Sequence, residues 1–70
     1  MTELKNDLLK RFPKLISVTI RNRKGKLYMT VKGRDMSYEE FLSVKDVVKR
    51  TIPGCYTTSA GGVSATYRLI

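Results

Sequence analysis

The sequence predicts an α+β fold of two layers, with two helices on one face of a four-stranded antiparallel sheet, in the order α-β-β-α-β-β. Three observations carry this reading. Residues 15–32 alternate apolar and polar side chains on both sides of Gly25, the period-two pattern of two strands joined by a turn. Two other stretches, around Leu4–Phe12 and Phe41–Ile52, place apolar residues three and four apart, which is helical spacing. The tail, CYTTSAGGVSATYRLI, reads as two short strands around a glycine pair.

In the first helix Leu4, Leu8, Leu9 and Phe12 share one face, while Lys5, Asp7, Lys10 and Arg11 point away from it. Thr2 is suited to cap it, with Glu3 in the first turn, where negative charge is favourable. Pro13 ends it by pushing the preceding residue out of the helical region. In LISVTIRN, Ile16, Val18 and Ile20 are expected in the core. In KLYMTVK the same role falls to Leu27, Met29 and Val31. The turn lies at Asn22–Lys26, where Gly25 supplies a positive φ. A loop at Gly33–Asp35 leads to Ser37 and Glu40, a capping-box pair that opens the second helix. Phe41, Val44, Val48 and Ile52 form its buried stripe, and Pro53–Gly54 stops it. The third strand is expected over Cys55–Ser59 and the fourth over Val63–Ile70, hinged at Ala60–Gly61–Gly62, with Val63, Ala65, Tyr67 and Leu69 facing inward.

At 70 residues the chain reads as one domain, residues 1–70. LLKRFP and VVKRTIP occupy equivalent places, which suggests duplicated helix-plus-hairpin halves, 2–33 and 37–70. Pairing sheet edges in a homodimer would reinforce a core of this size. The single Cys excludes an internal disulfide and suits a reducing compartment. There is no signal-peptide pattern and no membrane-length apolar run, so a cytoplasmic protein with no membrane partner is expected.

Charge is distributed unevenly. Residues 1–34 hold ten Lys/Arg against Glu3 and Asp7, whereas residues 35–70 balance four cations with four acids, so the entire net charge of +8 lies in the first half. A one-sided cationic surface attracts polyanions. On the expected open face of the sheet stand Ser17, Thr19, Arg21, Tyr28, Thr30, Lys32, Ser64, Thr66 and Arg68, joined by Tyr56 if the third strand takes the favoured register. Cations meet phosphates, hydroxyls meet phosphate oxygens and sugars, and rings stack on bases. Arg23, Lys24 and Lys26 sit at the hairpin tip, Arg34 follows the second strand, and Lys10, Arg11 and Lys14 lie nearby in sequence. These residues form the candidate surface for DNA or RNA, on the expectation that the early cations converge.

Chemistry other than binding has few residues to use. Without His there is no imidazole base or imidazole ligand, and one Cys cannot build a zinc site, so neither metal nor cofactor is expected. Cys55 reads as a structural thiol, and the carboxylates read as helix caps, wet helix faces and a turn. A non-enzyme is expected. A different reading makes the chain a small adaptor or inhibitor docking on an acidic protein surface or by addition to a sheet edge.

Residues 8–31, through Leu9, Lys10, Phe12, Pro13, Ser17, Val18 and Arg21, resemble the helix, Phe-Pro and hairpin pattern of small α+β accessory domains of bacteriophages and mobile elements, the large polyvalent protein-associated type. The resemblance implies a mobile-element origin. Small proteins of that kind bind and inhibit or redirect host machinery, including nucleic-acid-processing and defence enzymes.

Overall fold

The computed structural model describes residues 2–70 and has the expected element order. Helix α1 spans Thr2–Arg11, strand β1 Leu15–Arg23, strand β2 Lys26–Gly33, helix α2 Tyr38–Thr51, strand β3 Tyr56–Gly61 and strand β4 Ser64–Arg68. The four strands form one antiparallel sheet in the order β1-β2-β4-β3, so β1 and β3 are its edges. The helices cover one face. Leu4 and Leu8 from α1 and Phe41, Val44 and Val48 from α2 are buried with Val18, Met29, Val31, Ala65, Tyr67 and Leu69 from the sheet. The opposite face is uncovered.

Local chemistry explains the element ends. Thr2 stands within α1 rather than capping it from outside. Ser37 caps α2 as a reciprocal box: its hydroxyl accepts from the Glu40 N–H at 3.2 Å, and its own N–H donates to Glu40 Oε1 at 3.1 Å. At the β1–β2 turn both Lys24 (φ 53°) and Gly25 (φ 81°) are left-handed, as a type I′ turn requires. The Asn22 side-chain oxygen accepts from the Gly25 N–H at 3.0 Å and braces that turn. The Tyr67 hydroxyl, deep in the core, donates to the Phe41 carbonyl at 3.0 Å and ties β4 to α2.

Three local expectations are corrected. Ile16 is 57% exposed, because β1 carries an irregularity in its pairing between Leu15 and Ser17. One extra residue there shifts the phase of the strand, so Leu15 and Val18 both point inward although they are three apart. The last turn is not at Ala60–Gly61–Gly62. Gly61 still pairs with Ser64, and the turn is Gly62–Val63, with Gly62 at φ 61°. One glycine suffices for a two-residue turn with positive φ at its first position, so the other stays in the ladder. Val63 is thereby placed in the turn, 55% exposed, and Cys55 and Leu69 close the core at the other end of the hairpin. The third strand accordingly runs from Tyr56 to Gly61 rather than from Cys55 to Ser59, and the fourth is trimmed to Ser64–Arg68.

Candidate nucleic-acid interface

Because side chains alternate across a strand, the pairing register sorts the residues of the open face into rows that cross the sheet. Arg21 pairs with Tyr28, Tyr28 with Arg68, and Arg68 with Tyr56. The row therefore reads Arg-Tyr-Arg-Tyr over four adjacent strands, with a spacing of about 4.8 Å between neighbours. The next row is Thr19, Thr30, Thr66 and Ser59, a line of hydroxyls, in which Thr30 Oγ1 and Thr66 Oγ1 are 3.1 Å apart. Ser17, Lys32 and Ser64 form a third row, and Arg23 with Lys26 continues the face toward the hairpin tip.

The tyrosines and Arg68 hold one another in place. Arg68 Nη1 donates to the Tyr56 hydroxyl at 3.2 Å and its Nε donates to the Ile70 carbonyl at 3.2 Å. Two of five guanidinium donors are thus engaged, and three remain for a ligand. Tyr56 is half exposed. Tyr28 is partly covered by its neighbours but still reaches the surface.

No strand contains Asp or Glu. Glu3 and Asp7 belong to α1, Asp35 to the loop before α2, and Glu39, Glu40 and Asp46 to α2. The cations of the open face, Arg21, Arg23, Lys26, Lys32 and Arg68, therefore face solvent with no carboxylate side chain among them, and Lys24 adds its charge at the tip. This arrangement concentrates positive potential on the face away from the helices.

The ten early cations do not all share that surface. Lys10 and Arg11 end α1, Lys14 precedes β1 and Arg34 follows β2, at the end of the sheet opposite the hairpin tip. From Lys26 to Arg34 the chain runs nearly extended for eight residues, about 26 Å, and Lys32 stands near the far end, two residues before Arg34. Two of these four are also neutralised. Arg11 Nε contacts Asp7 Oδ2 at 2.9 Å, and Lys14 Nζ contacts Glu40 Oε1 at 3.2 Å and the Asp35 carbonyl at 3.3 Å. The Ser37 N–H and the Lys14 ammonium hold the Glu40 carboxyl below its ordinary value. The early cations thus extend along β2 from the hairpin tip to the far end of the sheet, where Arg11 and Lys14 are paired with acids, and Arg68, from the electroneutral half, joins those of the open face.

Among the described residues, no cluster of His, Cys, Asp or Glu is arranged to hold a metal ion, and no helix is long and apolar enough to cross a membrane. Cys55 is buried, and burial pushes its thiol up, which leaves little thiolate at neutral pH. Sequence reasoning found most members of the open face but missed Ser59 and the row. The signal was present as alternation within each strand, and only the register joins the strands. No protein family, curated protein or solved structure matches the chain.

Proposed function

We propose that this protein binds single-stranded nucleic acid, DNA or RNA, across the open face of its sheet, as a binding protein without catalytic chemistry. The observation that carries this reading is the Arg21–Tyr28–Arg68–Tyr56 row on a face free of carboxylate side chains. Exposed rings on a sheet offer stacking surfaces to unpaired bases, at about 1–3 kcal/mol per base. Arg21 and Arg68 flank Tyr28 where the backbone of a stacked strand would pass, and the threonine row supplies hydroxyls for phosphate oxygens and sugars. Arg23, Lys24 and Lys26 extend the cationic track past the edge of the helix layer along the projecting hairpin. Stacking and phosphate contacts carry little base information, so binding is broad in sequence. A duplex hides its ring faces and leaves the tyrosines without partners.

Fluorescence anisotropy with a labelled oligonucleotide of about a dozen residues, single-stranded or annealed, tests this. With about five phosphates neutralised, log affinity against log salt should fall with a slope of about −3.5 for the single strand between about 50 and 200 mM salt. The Tyr28→Ala/Tyr56→Ala variant should weaken single-strand binding about tenfold or more. Affinity indifferent to salt, or a duplex preferred by a protein that tolerates loss of both rings, overturns the reading.

A further inference from the structure

The second edge of the sheet is β3, whose Tyr56 and Ser59 belong to the open face and whose outward backbone does not. All six residues of β3 are exposed, and Tyr56–Gly61 holds neither a charged residue nor a proline. Its outward backbone groups are unpaired because β4 bonds one side only. Natural edges are normally blocked by charge, proline or a covering element, and an unblocked edge is a template for another strand. β1 is blocked in that way by Arg21 and Arg23; an irregularity in pairing is common to both edges, between Leu15 and Ser17 in β1 and between Thr57 and Ser59 in β3, so charge is what separates them.

Beside β3, α2 presents a stripe at helical spacing: Tyr38, Leu42, Lys45 and Lys49. A cavity of about 150 Å³ lies between helix and strand, lined by Tyr38, Phe41, Leu42 and Lys45 from α2 and Thr57 and Ala60 from β3. The groove therefore has an apolar end at Tyr38 and Leu42 and a basic end at Lys45 and Lys49. Lys45 lines the cavity, and Lys49 follows it one turn along the same stripe of α2. Neither is in an ion pair among the described residues. Glu39 and Asp46 belong to the outer face of α2, and Glu40 is held by Lys14 on the opposite flank.

We propose that the β3 edge is a strand-addition site for an extended segment of another protein, apolar where it passes Tyr38 and Leu42 and acidic where it passes Lys45 and Lys49. Main-chain hydrogen bonds along β3, on either side of its irregularity between Thr57 and Ser59, supply the affinity. The cavity takes an apolar side chain, and the two lysines select carboxylates on the same face of the incoming strand. A second copy of this chain is the poorer occupant. Its β3 strand carries no carboxylate to meet Lys45 and Lys49.

The probe is a blocked synthetic peptide alternating threonine with two leucines followed by two glutamates, titrated into the full chain and followed by amide NMR. The shifts should concentrate on β3, and the β3 amides that point away from β4 should exchange more slowly. A peptide with lysines in place of the glutamates should bind at least about tenfold more weakly, and Lys45→Glu/Lys49→Glu should reverse that order. The peptide swap uses the unaltered protein, so it stands even if the variant fails to fold. Equal binding of the two peptides, or no change at β3 with either, overturns the proposal. So does sedimentation showing that the protein alone forms a dimer through β3. Nucleic-acid binding is measured separately, and its outcome leaves this test unchanged.

Discussion

The β1–β2 hairpin carries Arg21, Arg23, Lys24 and Lys26 around a braced type I′ turn, whereas β3–β4 turns at Gly62–Val63 and its only charged residue is Arg68. The first hairpin is secured by its turn and by long strands, and its tip projects beyond the core: every residue from Arg21 to Lys26 is exposed. The second has small and hydroxyl-bearing residues and is secured from beneath, by buried Ala65, Tyr67 and Leu69 and by the Tyr67 bond to α2. Charge follows the same division. The outer strand of the first hairpin carries Arg21 and Arg23, and the outer strand of the second carries no charge. One sheet thereby has a charged face and an uncharged edge.

That contrast can be broken at its strongest point by moving charge. Removing the face cations in Arg21→Ala/Arg23→Ala/Lys26→Ala/Arg68→Ala should lower single-strand affinity about a hundredfold near 0.1 M salt. The matched variant Lys10→Ala/Arg11→Ala/Lys14→Ala/Arg34→Ala has the same net charge and should cost no more than about threefold. Anisotropy on both, at one salt concentration, separates a located surface from a general excess of charge.

The anchor of the second hairpin is next in size. Burial pushes the Tyr67 hydroxyl up to about 12. An unfolded phenol ionises near pH 10, so between about pH 10 and 12 the unfolded chain binds fewer protons than the folded one, and stability falls as pH rises, by up to about 2–3 kcal/mol. Tyr67→Phe loses the bond to the Phe41 carbonyl, which costs about 1 kcal/mol at neutral pH. It also loses this alkaline sensitivity, so urea midpoints of variant and parent should converge and then cross above pH 10. Parallel pH profiles for the two proteins would show that Tyr67 is not the anchor.

For the first hairpin the sensitive point is its turn. Gly25→Ala puts a Cβ at φ 81° and should cost about 1 kcal/mol, although nothing lies within 4 Å of the new atom. Gly54→Ala, equally free of neighbours but without a positive φ, should stay within about 0.5 kcal/mol. Urea denaturation of the pair measures the difference. Equal midpoints would mean that the hairpin does not depend on its turn conformation.

Most of the architecture was legible because it rests on local rules. Helical spacing, the capping box of Ser37 and Glu40, and the alternation around Gly25 each involve residues within one or two turns of one another. Ile16 and Val63 were read as inward-facing because strict alternation admits no bulge and cannot choose between two adjacent glycines as the turn residue. The candidate surface was legible in membership and misread in extent. Arg34 and Lys24 are ten residues apart in sequence, and nothing in the sequence says that a full strand keeps them at opposite ends of the sheet.

What the sequence determined by itself was the inventory: two amphipathic helices, strands with one polar face, an excess of cations in the first half, and no Asp or Glu in any strand. Periodicity and turn chemistry act over a few residues, so they can be read from the order of residues alone. Tertiary structure decided the rest. Placing β4 between β2 and β3 is what sets Arg68 beside Tyr28, forty residues away, and leaves β3 as an uncovered edge next to α2. Strand order arises from burying both helical stripes against one face of a single sheet, a condition on the whole chain that no short segment records.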